Sequence, residues 1–272
     1  MALSLPNMAE PHHLLDIAVR AENAGWDGVL LWDHVHGSPD MPMPMSDTWV
    51  TLGAIATHTS RIVIGTGITP VARRQPRELA RQAVTVDHLS RGRLVLGVGL
   101  GEPPEEYTAY GESADRRRLA ARLDEGLEVI TGLWTGEPFE HHGAHFTVER
   151  AQYLPTPVQR PRIPVWAGCT IPHTRPLRRA AKWDGVILAA MTEVSVDPVP
   201  VPVVERALAE IAEHRDPNAG PLDVAVSHSG IPTEDELRAY ATVGVTWVLV
   251  ANWMDVLEQM IDALPQRRSA SA

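Results

Sequence analysis

Cysteine is all but missing from this sequence. One residue, Cys169, excludes an internal disulfide and fits a reducing cytoplasm. Lysine is equally scarce. Lys182 falls inside a predicted helix, so no lysine stands at a strand end and Schiff-base chemistry has no candidate. Positive charge is in deficit: 24 Lys+Arg against 34 Asp+Glu gives a net charge of −10. That balance opposes the basic footprint of a nucleic-acid binder, and no polybasic run suits anionic lipid. Apolar runs are short and broken by charge, so no transmembrane helix is expected. The opening stretch MALSLPNMAEP lacks a basic region followed by a long apolar one, so no signal peptide is expected and the cytoplasm is the expected compartment. No Gly/Ser linker divides the chain. One domain is expected over residues 1–266, with the polar end RRSASA, 267–272, as a frayed tail.

What is present is alternation. Strand-like apolar runs fall at 2–6, 28–32, 62–68, 94–100, 164–168, 185–190, 222–228 and 245–251. Helical patterns follow near 11–24, 47–59, 76–90, 116–135, 173–183, 202–214, 233–243 and 254–264. The strands are apolar throughout, so both faces are buried, as in parallel sheets. Eight βα units favour an α/β fold of the closed (β/α)8 TIM-barrel type over an open doubly wound sheet. HFTVERAQYLP, after the fourth helix, reads as a short β excursion outside the core.

In such a barrel the chemistry sits on the loops at the C-terminal strand ends. Strand 2 ends in LLWDHVHG and presents Asp33, His34 and His36, a setting suited to proton transfer near neutral pH. The pair His34-x-His36 also permits a metal-dependent hydrolase, with His228 and Asp255 as further ligands, but strands 4, 5 and 6 end without histidine. Strand 3 ends in GTGITPVARRQP, where Gly65 and Gly67 would let a planar ligand approach the backbone or would simply keep the strand narrow. Arg73, Arg74 and Arg77 read there as solvated. Strand 4 ends in LGVGLGE. Its G-x-G-x-G spacing is not the G-x-G-x-x-G of a dinucleotide fingerprint, and the following PPEEY argues against direct helix entry. The strand reads instead as a wall cleared of side chains, with Glu102 as a buried acid and Glu105 and Glu106 in solvent. Strand 5 ends in Gly168 and Cys169 before a helix, where backbone N–H groups could hold an anion. No base is placed beside Cys169 to make it a nucleophile. Among the tryptophans, Trp49 is the pocket candidate.

The stretches AENAGWDGVLLWDH, TSRIVIGTGITP, ELARQAVTVDHLSRGRLVLGVGLGE, RLDEGLEVITGLWTGEPFEHHGAHF, PTPVQRPRIPVWAGC and RRAAKWDGVI resemble the bacterial-luciferase-like superfamily of flavin- and deazaflavin-dependent oxidoreductases. They span most of residues 20–190; the rest matches as generic barrel units. The resemblance implies a ring held at the barrel mouth by Asp33, Thr66, Gly67, Ile68, Thr69, Gly99, Gly101, Ala167, Gly168 and Cys169, with the phosphate tail at Gly168 and Cys169. It places a frequent non-proline cis peptide at Gly67–Ile68. It implies coenzyme F-420 as cofactor, with FMN as the alternative, and hydride transfer to a small organic substrate. His34, Glu102 and Asp33 are the implied catalytic residues, and a homodimer is the implied assembly. The alternatives are an FMN-dependent monooxygenase or reductase, a non-catalytic flavin-binding barrel, and the metal-dependent hydrolase.

Overall fold

The computed structural model describes residues 1–35, 37, 40, 42–191, 196–252 and 254–261. Eight parallel strands form the core: β1 Ala2–Leu5, β2 Gly28–Leu31, β3 Val63–Thr66, β4 Leu94–Gly99, β5 Val165–Thr170, β6 Gly185–Met191, β7 Asp223–His228 and β8 Trp247–Ala251. Each pairs in parallel with its sequence neighbour, β5 pairs with β6 (Trp166 opposite Gly185), and β8 pairs back onto β1 (Leu249 opposite Ala2), so the sheet closes. Closure pairs each of the eight barrel strands on both sides, as a TIM barrel requires.

Among the described residues, one principal helix follows each barrel strand: α1 Pro11–Ala24, α2 Thr48–His58, α3 Pro76–Ser90, α4 Arg116–Trp134, α5 Arg175–Ala180, α6 Val201–His214, α7 Glu234–Thr242 and α8 Met254–Ile261. Their limits follow ordinary chemistry. Pro11 opens α1 and Gly25, at φ 91, closes it. The Asp47 carboxylate caps α2 by accepting from Val50 N at 2.8 Å. Thr233 and Glu236 form a capping box on α7. The β excursion is an antiparallel hairpin, Phe139–His142 with Thr147–Ala151, pinned by Glu125, whose carboxylate accepts from His145 N and Phe146 N.

The barrel interior is filled. Leu30, Val95, Trp166, Ile187 and Leu249 pack inside, with Trp247 against them. The Trp166 and Trp247 rings lie 5.7 Å apart between centroids, tilted by 57°. Trp166 rests on Gly185, where a Cβ would collide with the indole. At the N-terminal end of the strands, Glu22 accepts from the N–H groups of Ser60, Arg61 and Ile62 at 2.9, 2.6 and 2.9 Å. Arg93 spans the carbonyls of Ala56, Thr59, Ile62 and Ser90. The foot of the barrel is therefore fixed by charge-assisted hydrogen bonds.

The alternating glycines have a different use from the one expected. A Cβ on Gly65 would run into the Val95 carbonyl, and one on Gly97 into the Thr66 carbonyl. These two positions bring the β3 and β4 backbones together, and neither lines the cavity at the strand ends. The resemblance placed a cis bond at Gly67–Ile68; every cis peptide among the described residues precedes proline, and Gly67–Ile68 is not among them. Residues 262–272, including the expected tail, lie outside the described residues, as do His36, Trp253 and the Asp255 side chain.

Candidate active site

A cavity of about 180 Å³ opens at the C-terminal ends of the strands. Its floor is apolar: Ile68, Ile187, Leu249 and Ala251. Ile68 packs over Gly99 and Gly168, because any side chain at either position would strike it. Those glycines clear room for Ile68, and Ile68 is the surface offered to a ligand. The Ser227 hydroxyl lines the same cavity, is buried, and has no hydrogen-bond partner among the described residues. A buried orphan of this kind calls for a ligand atom or an ordered water.

His34 stands on the rim. Its backbone is clamped by Asn7, which is fully buried and accepts from His34 N at 3.1 Å while donating to the carbonyls of His34 and Ser46 at 2.8 Å each. Its Nδ1 lies 2.8 Å from Glu106 Oε1. No described residue engages Nε2, and His34 lines the cavity. The imidazole is thus oriented from behind and open in front.

Glu106 is the buried acid. Its side chain has 0% exposure. It accepts from Val35 N at 3.0 Å and pairs with the Arg73 guanidinium. Burial pushes its carboxyl up, but the His34 hydrogen bond, the Arg73 charge and the Val35 N–H outweigh that, and the group sits below its ordinary value. Arg73 also donates to the Asp33 carbonyl at 2.5 Å, and Arg74 grips the Asp33 carboxylate in a fork at 2.9 and 2.6 Å. Asp33, Arg73, Arg74, Glu106 and His34 form one charged network under the rim.

Several expectations change here. Glu102 is not buried: its side chain is 57% exposed and pairs with Arg116, although it does line the cavity mouth. Glu106 is not solvated, and neither are Arg73 and Arg74, at 9% and 16% exposure; Arg77 remains in solvent. The prolines at 103 and 104 do not delay a helix. Pro104 caps the short helix Glu105–Thr108, where a missing N–H costs nothing, and that turn carries Glu106 and Tyr107 inward. Trp49 is not at the mouth. It is buried beside a groove between α2 and α3, and Trp32 is the tryptophan that lines the cavity, its Nε1 donating to Ser4 Oγ at 2.8 Å.

Of the expected ring-holding set, Asp33, Gly67, Ile68, Gly99, Gly101, Gly168 and Cys169 line the cavity. Thr66, Thr69 and Ala167 do not. Thr66 is fully buried and its hydroxyl donates to the Gly97 carbonyl at 2.7 Å. Cys169 is buried, which pushes its thiol up to about 12 and removes it as a nucleophile at neutral pH. The described residues hold no group of three or more His, Cys, Asp or Glu that could bind a metal. No helix among them is long and apolar enough to cross a membrane.

The sequence model of luciferase-like monooxygenases matches residues 2–269. The chain belongs to this family. This luciferase-like chain is 30% identical to an F-420-dependent glucose-6-phosphate dehydrogenase of Microbacterium testaceum over 273 residues, 96% of the chain and 79% of the relative. It is 35% identical over 212 residues to an uncharacterized protein of Mycobacterium tuberculosis, covering 77% of the chain and 71% of that protein. Among solved structures, an F-420-dependent secondary alcohol dehydrogenase in complex with an F-420–acetone adduct superposes with a TM-score of 0.80 at 18% identity, over 97% of this chain and 96% of that one. The coenzyme F-420-dependent tetrahydromethanopterin reductase of Methanopyrus kandleri gives 0.76 at 18% identity, over 98% and 97%. At these identities the two structures show a shared barrel. The luciferase-like fold expected from the sequence is the fold observed.

Proposed function

We propose that this protein is an oxidoreductase that transfers a hydride between coenzyme F-420 and a small organic substrate, with His34 as its proton-transfer group. The observation that carries the reading is the His34–Glu106 pair: a rim imidazole backed through Nδ1 by a buried carboxylate, with Nε2 left for substrate. The F-420 dependence named for relatives that match most of the chain supports the choice of coenzyme.

The cavity suits a flat heterocycle. Ile68, raised on bare Gly99 and Gly168, offers an apolar face, and the orphaned Ser227 hydroxyl offers one hydrogen bond to a ring edge. Gly101 and Gly168 line the mouth together with Arg116 and Arg179, the two arginines there for the charged tail. When bound, the coenzyme supplies a two-electron hydride acceptor or donor. The protein does the rest. His34 Nε2 takes the substrate proton in one direction and returns it in the other. Glu106 holds the imidazole in place through Nδ1, as a carboxylate behind an imidazole does. Asp33, gripped by Arg74, positions the loop. Glu102, exposed at the mouth, is a weaker proton-transfer candidate than Glu106. FMN presents a ring of similar shape and remains the alternative coenzyme, with monooxygenation as its chemistry.

Fluorescence titration with coenzyme F-420 and with FMN tests the reading, and binding of neither ends it. His34→Ala is expected to bind coenzyme and lose turnover by about 10²–10⁴-fold, the usual worth of a positioned acid–base group. Unchanged turnover would remove the proton role. A homodimer in the cytoplasm belongs to the same reading, and sedimentation velocity tests the assembly.

A further inference from the structure

Resting on the proton role proposed for His34, and going beyond it, we infer that Trp32 is a positioning residue for this site: it fixes the plane of the His34 imidazole, and is itself held by the Ser4 hydroxyl. The His34 ring has one directed contact, from Nδ1 to Glu106 Oε1 at 2.8 Å. The Glu106 carboxyl sits below its ordinary value, so it is ionised near neutral pH and Nδ1–H is the donor. One hydrogen bond at a ring edge does not fix a ring. The torsion that turns an imidazole about its Cβ–Cγ bond has a broad well, and a swing within it carries Nε2 away from a reacting atom.

Trp32 supplies the second contact. Both side chains line the cavity, and their rings meet edge-on, with centroids 5.7 Å apart and planes at 65°. That is the arrangement aromatic pairs favour. It opposes rotation of the imidazole, because turning the ring opens the contact on one side and crowds it on the other. The indole is a firm support. Trp32 N donates to the Leu5 carbonyl at 2.8 Å, its carbonyl accepts from Thr48 Oγ1 at 2.5 Å, and Nε1 donates to Ser4 Oγ at 2.8 Å. Thr48 and Ser4 are both buried. Three neighbouring strands meet here: Ser4 lies on β1, Trp32 follows β2 and Gly67 follows β3. A Cβ on Gly67 would come within 3.3 Å of Ser4 Oγ and 3.2 Å of Leu30 Cβ, tighter than ordinary contact. Bare backbone at Gly67 therefore leaves room for the hydroxyl that Trp32 uses. Gly67, Ser4, Trp32 and His34 form a line of touching groups that ends at the proton-transfer imidazole.

Nuclear magnetic resonance on the protein alone, with its histidines isotope-labelled, tests this. The Nδ1–H proton between His34 and Glu106 is expected as a resonance protected from exchange with water, assigned by its loss in His34→Gln. In Trp32→Leu the ring swings, and the resonance is expected to be lost. Trp32→Phe keeps an aromatic ring beside the imidazole and should retain it. Ser4→Ala leaves Nε1 without its acceptor, so the indole turns away and the resonance should again be lost. Turnover with coenzyme F-420 is the second readout: Trp32→Leu should lower kcat by up to about 10²-fold, the cost of a slightly misplaced group, and Trp32→Phe should recover most of it. No protected resonance in the wild type, one as persistent in Trp32→Leu, or its loss in Trp32→Phe would overturn the inference. Its persistence in Ser4→Ala would remove Ser4 as the support. Unchanged turnover in His34→Ala, with the resonance following the expected order, would sink the proton role and leave the positioning by Trp32 standing.

Discussion

Replacing Glu106 by glutamine keeps the side chain's shape and removes its charge. The Arg73 guanidinium then lies 9% exposed beside a neutral amide, and His34 loses its carboxylate. Deleting one partner of a buried ion pair costs about 3–5 kcal/mol, because the other charge stays desolvated. The lower end applies here: Arg73 keeps the Asp33 carbonyl at 2.5 Å and the Asp33 carboxylate at 3.5 Å. For a chain of this size, about 3 kcal/mol lowers the melting temperature by about 6–12 °C. Acid separates this effect from a simple packing loss. The Glu106 carboxyl sits below its ordinary value in the fold, so its contribution is complete above the usual carboxylate range and fades as pH falls through the folded value. Thermal melts from pH 7 downward should show the two proteins converging, with wild type losing more. A variant that melts within about 2 °C of wild type at pH 7, with a parallel acid limb, would refute the claim that this network holds the rim.

The other predictions are simpler. Burial raises the Cys169 thiol to about 12, so iodoacetamide at pH 8 should leave it unmodified in the native protein and alkylate it at once in guanidinium; mass spectrometry reads both. Gly97→Ala should fail to yield soluble folded protein, since its Cβ would meet the Thr66 carbonyl inside the barrel wall. Gly53→Ala, in the middle of α2 with nothing within 4 Å of the new carbon, should raise stability by about 0.5–1 kcal/mol in a urea titration.

The barrel was legible because its signals are local. Runs apolar on both faces mark buried parallel strands, and residues such as Pro11, Asp47, Gly25 and Thr233 mark helix limits close to where they fall. His34 was legible as a rim residue for the same reason: it ends a strand. Its partners were not. Glu106 is 72 residues away and Arg73 lies 33 residues from Glu106, so nothing near EE or ARR in the sequence shows that these charges meet and leave water. The signal that could have found Glu106 is the turn itself. Pro104 starts a helical turn, and in one turn neighbouring residues 105 and 106 face different ways, one out and one in. The glycines misled for a related reason. G-x-G-x-G correctly indicated a wall without side chains, but the vacated space is claimed by Ile68 and by backbone carbonyls that only the closed sheet brings there.

The two tilted tryptophans inside the barrel have a kinetic consequence. Trp166 and Trp247 fill the barrel interior next to Ile68, Ile187 and Leu249, which line the cavity, and the cavity opens at the C-terminal strand ends. Whatever settles deepest must enter first and leave last. For the proposed coenzyme and substrate, a queue of that kind predicts an ordered turnover, in which an excess of the second visitor shuts the first one in.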